Sequence, residues 1–220
     1  FGDIKDFKIE KVRRGAGPAL IFIDGFLTQK KQHCDDWLEG VKEVYPNNPC
    51  YYVSWESGTL LKLGLNLPKE KLVLAAGKEL AKRGGKAAAK KINPLSWVTM
   101  SSNVIANPWH TSMRKAQMTG VLLADILART NHKEGFILMG HSLGARVAYY
   151  LLEALSTKSK ARVQRAYLLG GAVGKDDDDG WTKAMKAIRS TGKLYNCYTS
   201  NDMILERLYR NVTARRSYPI

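Results

Sequence analysis

Residues 136–152 read FILMGHSLGARVAYYLL, and this stretch decides how the chain folds. Its first part is an apolar run with the length of a buried strand, and the apolar residues after Gly144 recur at helical spacing. Between them lies Gly140-His141-Ser142-Leu143-Gly144, which has the pattern G-x-S-x-G. A strand, this pattern and then a helix predict a tight turn that presents Ser142 at the carboxyl edge of a sheet.

The residues around Ser142 have the types that such a turn needs. Side chains at Gly140 and Gly144 would collide with the turn and keep the helix away from the strand. The backbone N–H of Leu143 would lie at the start of the helix, where it can stabilise an oxyanion. Ser142 is therefore predicted to be a nucleophile, and the alternative is a glycine-rich turn with an idle serine.

Outward from this turn, strand-like and helical runs alternate along the whole chain. Strands are expected at Pro18–Leu27, Cys50–Ser57, Arg165–Val173 and Lys193–Ser200. Helices are expected from Asp35 as N-cap, and at His110–Thr130, Arg146–Leu155, Trp181–Ser190 and Met203–Arg210. This alternation predicts an α/β fold, a mostly parallel sheet flanked by helices, in a single domain over residues 1–220.

Residues 58–107 interrupt the alternation and are expected to form a basic, helical, lid-like insertion. Nine of the residues from Lys62 to Lys91 are Lys or Arg and two are Glu, which gives this segment +7 of the chain's net +15. Such a charge suits contact with an anionic membrane surface, and the alternative is an ordinary solvated basic helix. Nucleic acid is a weaker alternative, because the basic residues lack interleaved aromatic side chains.

Composition bounds the class of protein. A chain of 220 residues that is 45% hydrophobic is long enough for one substantial core. The three cysteines (Cys34, Cys50 and Cys197) show neither disulfide nor zinc-site spacing, so reduced thiols are expected, and no metal or cofactor. With no signal peptide and no apolar run near the ~18 residues of a membrane span, a cytoplasmic or peripheral membrane location is predicted.

Two further groups are expected beside Ser142. The turn after the strand in "FIDGFL" is predicted to supply a second oxyanion donor, the backbone N–H of Phe26 or Leu27, with Gly25 permitting the turn. The acid that orients a general base is expected at Asp202, although this residue could instead cap the next helix. The fallback acids are Asp176–Asp179, whose alternative role is a solvated loop.

A general-base histidine is hard to place. The chain has His33, His110, His132 and His141, and none of them follows Asp202 as the order Ser, acid, His requires. His132 lies in a helix-to-strand loop, on the wrong edge, and His141 is expected to point inward and brace the turn. His33 and His110, each ahead of a helix at the carboxyl edge, are candidate substitute bases. The favoured explanation places the histidine in a segment beyond Ile220, and an inactive scaffold is the alternative.

Several blocks, in this order, resemble a known family: "IDGFL", "DDWLEGV", "YYVSWESGTLLKLG", "NPW", "KAQMTGVLLADIL", "MGHSLGARVAYYLL", "AYLLGGAV" and "LYNCYTSNDMILERLYR". They resemble the α/β-hydrolases of the transmembrane and coiled-coil domain-containing protein 4 type, long described as a domain of unknown function. The resemblance implies an α/β-hydrolase fold in which Ser142 is the nucleophile, Asp202 the acid, and a Gly-His segment follows a further strand. Family members often carry an apolar stretch before "NPW", whereas this chain is rich in Lys and Ala there, which suggests surface contact.

Two functions are compatible with these residues. The first is a serine hydrolase, esterase-like or lipase-like, that cleaves a carboxylic ester, of a lipid or another small molecule. The second is a catalytically inactive hydrolase-fold module that contacts an anionic membrane or a partner through its basic insertion.

Overall fold

Six strands and four helices are seen in the described part of the chain. The computed structural model describes residues 4, 6–25, 31–56, 102–158, 162–174, 178–199 and 202. The strands are β1 (Lys8–Arg13), β2 (Ala19–Ile23), β3 (Cys50–Ser54), β4 (Phe136–His141), β5 (Val163–Leu169) and β6 (Ile188–Cys197). The helices are α1 (Lys31–Val41), α2 (Ser102–Arg129), α3 (Leu143–Leu155) and α4 (Asp178–Met185). Most of the predicted insertion and the helix predicted at Met203–Arg210 lie outside the described residues.

The strands form one sheet in the order β1-β3-β2-β4-β5-β6. All neighbouring strands run parallel except β1, which pairs antiparallel with β3. The predicted α/β architecture, a mostly parallel sheet flanked by helices, is confirmed. Strand β1 was not predicted, because its sequence KIEKVR is that of a half-exposed edge strand and has no continuous apolar run.

Helices cover both faces of the sheet. All five residues of β2 are buried; Ile21 and Ile23 belong to the larger core cluster, with residues of α2, α3 and α4. Leu20 and Phe22 point to the other face, into a smaller cluster with residues of α1 and β3. Burying one such side chain stabilises the fold by about 1.5–3 kcal/mol, which explains why these apolar runs form the central strands.

Several element boundaries differ from the prediction. Helix α2 begins at Ser102, eight residues before the predicted start at His110. Helix α1 begins before Asp35 and ends before Val44, whose side chain is 69% exposed.

The end of α4 was also predicted wrongly. The helix ends at Met185, and the backbone N–H of Ala187 closes a turn by donating to the carbonyl of Ala184 at 3.1 Å. Strand β6 then begins at Ile188, opposite Val163 of β5, so residues 188–190 are strand and not helix. Pairing with β5 outweighs the local helical pattern. Among the described helices, none has the length and apolar character needed to cross a bilayer.

Candidate active site

Ser142 occupies a strained turn between β4 and α3. Its backbone has φ 55° and ψ −118°, a region that side-chain-bearing residues rarely adopt. Three hydrogen bonds hold it there: its N–H donates to the carbonyl of Leu169 at 2.9 Å, and its carbonyl accepts from the N–H groups of Ala145 (3.1 Å) and Ala172 (3.2 Å). The turn is therefore fixed from both β5 and α3.

Three glycines allow the backbones around Ser142 to approach one another. A Cβ on Gly140 would lie 2.5 Å from the carbonyl oxygen of Gly144, and one on Gly144 would collide with the carbonyl of Ile23. A Cβ on Gly25, just after β2, would lie 2.6 Å from the carbonyl of His141 and 2.8 Å from Cβ of Ser142. The end of β2 and the start of α3 thus pack directly against the serine turn.

The predicted nucleophile and the predicted acid both follow strands at the carboxyl edge of the sheet. Ser142 follows β4 and Asp202, which is half-buried, follows β6, with β5 lying between those two strands. The segment that leads to Asp202 is attached to this edge, because the N–H of Gly170 donates to the carbonyl of Cys197 at 2.8 Å. The Asp202 N–H donates to the carbonyl of Thr199 at 3.3 Å.

Of the oxyanion donors predicted from the sequence, the structure describes Leu143 but not Phe26. Leu143 is the first residue of α3 and is buried, so its N–H lies in the first helical turn, where backbone N–H groups lack partners within the helix. Phe26 lies outside the described residues, as do Asp176 and Asp177 of the fallback acids. Asp178 and Asp179 begin α4.

Three of the four histidines differ from what the sequence predicted, and His132 agrees with it. His33 and His110 lie within α1 and α2, and not ahead of these helices. The side chain of His110 is exposed, and that of His33 is not described. His141 is exposed, so the prediction that it points inward is wrong. His132 contacts the carbonyl of Gly17 through Nε2 at 3.0 Å, at the amino edge of the sheet, as its loop position predicted.

Sequence reasoning missed the buried carboxylate of Asp24. Its side chain accepts a hydrogen bond from Trp37 Nε1 at 2.6 Å on Oδ1 and another from the hydroxyl of Tyr52 on Oδ2. Its backbone carbonyl accepts from Trp55 Nε1 at 2.8 Å. Burial, together with the hydrogen bond to Asp24, raises the pKa of Tyr52 well above its usual value. The signal in the sequence was an acid in phase with the apolar residues of β2.

Arg146, also missed, is a cation buried one turn after Ser142. It is 7% exposed; Nη2 donates to the Tyr150 hydroxyl at 3.0 Å, and the guanidinium lies 5.1 Å from the centre of that ring. Its Nη1 donates to the carbonyl of Ala172 at 3.3 Å, and the N–H of Ala172 donates to Ser142. The arginine therefore supports the loop that holds the serine turn.

Comparisons with known proteins identify relatives that match nearly the whole chain and whose names state no activity. The chain is 33% identical over 217 residues to a protein of Schizosaccharomyces pombe named uncharacterized membrane protein C6F6.13c, covering 94% of this chain and 27% of the relative. It is 26% identical over 221 residues to the transmembrane and coiled-coil domain-containing protein STS1 of Oryza sativa, covering 95% of this chain and 32% of that protein.

A match over a shorter part of the chain relates it to a protein whose name states an activity. Over 125 residues, 54% of this chain and 11% of the relative, it is 30% identical to the probable lipase MIL1 of Saccharomyces cerevisiae. The chain thus spans about a third or less of the length of these curated relatives. A family model described as protein of unknown function (DUF726) matches residues 1–217, and the chain therefore belongs to this family.

Proposed function

We propose that this chain is a serine hydrolase domain of the α/β-hydrolase type that cleaves a carboxylic ester. The observation that carries the proposal is the backbone of Ser142, held at φ 55° between a parallel strand and a buried helix. Such strain persists only where the surrounding structure over-determines it, and it is concentrated at functional sites. A serine on a strained strand-to-helix turn exposes its hydroxyl above the sheet, as a nucleophile requires.

The proposed reaction assigns a step to each group. Ser142 Oγ attacks the ester carbonyl, and the N–H groups of Leu143 and Phe26 stabilise the negative charge that develops on the carbonyl oxygen. A histidine accepts the serine proton and returns it to the leaving alcohol; water then hydrolyses the acyl-enzyme by the same route. Asp202 orients that histidine. The histidine assigned to this step is the one that the sequence predicts beyond Ile220, with His33 and His110 as substitutes.

The substrate class rests on the yeast relative. Its name, probable lipase, supports a lipid ester, and the match of 54% of this chain to it makes a shared chemistry reasonable to test. An inactive module that contacts an anionic membrane through the basic insertion is the competing function.

Covalent labelling tests the proposal. The full-length protein is treated with a fluorophosphonate probe, and Ser142→Ala is compared with Ser156→Ala. Ser156 is a matched control, because it lies at the opposite end of α3 and its hydroxyl only donates to the carbonyl of Glu153 at 2.6 Å. We expect the wild type and Ser156→Ala to be labelled and Ser142→Ala to remain unlabelled.

A second measurement separates the two functions. Release of acid from vesicles that contain an esterified lipid is followed with wild type and Ser142→Ala. Hydrolysis that depends on Ser142 supports the lipid ester. An unlabelled wild type that sediments with anionic vesicles, and is released by salt, would instead support the inactive membrane-binding module.

A further inference from the structure

We propose that Asp24 is a positioning residue that holds the end of β2 against the Ser142 turn through hydrogen bonds from Trp37 and Tyr52. The inference rests on the proposed function, since it concerns the reactivity of Ser142. Four neighbouring elements meet at this residue: β2, which precedes it, α1 and β3, which donate to its carboxylate, and α3, which packs against its backbone.

Burial makes these hydrogen bonds necessary. Asp24 is 6% exposed, and its two carboxylate oxygens accept from two neutral donors. Burying a carboxylate is costly unless its oxygens accept hydrogen bonds or pair with a cation. Trp37 Nε1 and the Tyr52 hydroxyl supply one donor to each oxygen, and bonds to an ionised acceptor are stronger than neutral ones. The carboxylate is therefore held firmly in one position.

The backbone of Asp24 transmits this position to the serine turn. Its carbonyl oxygen is fixed by Trp55 and would lie only 2.7 Å from a Cβ on Gly144, the second residue of α3. The next residue, Gly25, packs against the carbonyl of His141 and Cβ of Ser142. Because these approaches are too close to admit even a Cβ atom, a shift of Asp24 displaces the Ser142 turn directly.

Asp24 acts through the backbone and not on the substrate. Its side chain lies on the sheet face that carries Phe22 and the other residues of the smaller core cluster, which α1 covers. Helix α3 lies on the opposite face. The carboxylate therefore positions Ser142 and does not touch the reacting atoms.

The chain provides a matched pair of substitutions for the test, Tyr52→Phe and Tyr45→Phe. Both tyrosines are buried, 8% and 7% exposed, and both belong to the smaller core cluster. The hydroxyl of Tyr52 bonds to Asp24, whereas that of Tyr45 lies 2.7 Å from the hydroxyl of Tyr167. Tyr45 lies in the connection from α1 to β3, at the amino edge. Each change removes one hydroxyl, but only one of them weakens the hold on Asp24.

Two readouts are measured on the full-length protein. The first is the second-order rate of fluorophosphonate labelling at Ser142, corrected for the folded fraction. The second is hydrogen exchange of the backbone amides in residues 138–145. We expect Tyr52→Phe to slow labelling about tenfold and to speed exchange, because small misplacements of a nucleophile cost one to two orders of magnitude in rate. Tyr45→Phe is expected to stay within about twofold of wild type on both.

A conservative replacement of Asp24 separates positioning from simple loss of stability. Asp24→Asn retains an acceptor for Trp37 and a group that can donate to the Tyr52 oxygen, so it is expected to recover most of the labelling that Asp24→Ala loses. Equal losses in Tyr52→Phe and Tyr45→Phe would overturn the inference and leave the proposed function intact. If the wild type is not labelled, the proposed function fails. Hydrogen exchange then tests the inference by itself: faster exchange in Tyr52→Phe than in Tyr45→Phe supports it, and equal exchange overturns it.

Discussion

The two edges of the sheet handle backbone strain differently. At the amino edge, the positive φ angles belong to glycines, Gly17 (86°) and Gly135 (81°). At the carboxyl edge, Gly170 also has a positive φ (52°), but so do two residues with side chains, Ser142 (55°) and Asp6 (58°). A glycine at 142 would relieve the strain at this position, and a serine there agrees with the proposed use of its hydroxyl as a nucleophile.

The edges also differ in where they place charge. At the amino edge, Arg162 and Arg189 are half-buried and make solvent-exposed hydrogen bonds to backbone carbonyls, Arg162 to Thr130 at 3.0 Å and Arg189 to Lys133 at 2.9 Å. At the carboxyl edge, Asp24 and Arg146 are buried. Water can replace an exposed hydrogen bond but cannot reach a buried one, so substitutions at the carboxyl edge are expected to cost more.

The largest expected effect comes from filling the contact between β2 and α3. Gly144→Ala places a Cβ against the carbonyl of Ile23, a backbone atom that cannot move alone, so we expect the free energy of unfolding to fall by about 3 kcal/mol. Gly40→Ala in α1 meets nothing within 4 Å and is expected to add about 0.5–1 kcal/mol. Denaturant unfolding measures both. Similar changes in the free energy of unfolding for the two variants would contradict the close approach of α3 to β2.

Removing a buried arginine is expected to cost more than removing a half-buried one whose hydrogen bond is exposed to water. Arg146→Ala leaves the carbonyl of Ala172 and the hydroxyl of Tyr150 without their donors, so we expect a loss of about 2 kcal/mol. Arg162→Ala, at the amino edge, is expected to change the free energy of unfolding by about 0.5 kcal/mol or less. If the two arginines cost the same in thermal unfolding, burial does not distinguish the edges.

Relieving the strain at Ser142 is expected to stabilise the protein while removing its reactivity. Ser142→Gly adopts φ 55° without a side-chain clash, and we expect a gain of about 1 kcal/mol in the free energy of unfolding. Ser156→Gly, at the relaxed C-terminal end of α3 (φ −61°), should instead lower it slightly. Calorimetry on both variants measures whether the free energy of unfolding rises or falls. A loss of stability in Ser142→Gly would contradict the backbone strain at this position.

The smallest expected effect is a pH dependence at Tyr52. Its pKa is raised in the folded state from 10.0, mainly by burial, so the folded protein holds the phenol proton more tightly than the unfolded chain. This stability is fully present below pH 10 and is lost as the pH rises above it. Denaturant unfolding measured above pH 10 should show that the free energy of unfolding declines less steeply with pH in Tyr52→Phe than in the wild type. The exposed Tyr198, changed to Phe, is the control, and an equal change there would contradict the assignment.

The sequence predicted the central elements well and the boundaries poorly, for physical reasons. Strand β2 and the segment from β4 to α3 are buried on both faces, so their apolar runs contain the whole signal. Strand β1 and the start of β6 are strands because β3 and β5 pair with them. Pairing is a contact between distant segments, and no local pattern encodes it.

The predicted site is divided in the same way, between residues that a local pattern marks and residues that only packing between distant segments reveals. Ser142, its flanking glycines and Asp202 could be proposed as site residues because a turn pattern and the chain order mark them. Asp24 and Arg146 could not, because an acid after a strand and an arginine in a helix are normally solvent-exposed. Their importance depends on burial against Trp37, Tyr52 and Ala172.

By itself, the sequence determined the α/β class, the serine turn and the strands that surround it, since hydrophobic periodicity and glycine spacing act over a few residues. Tertiary structure alone decided that Gly25 packs against Ser142 and that His110 and His141 are exposed. It also decided that the buried Asp24 lies beneath the serine turn. These features arise from packing between segments far apart in the chain, which only the assembled sheet brings together.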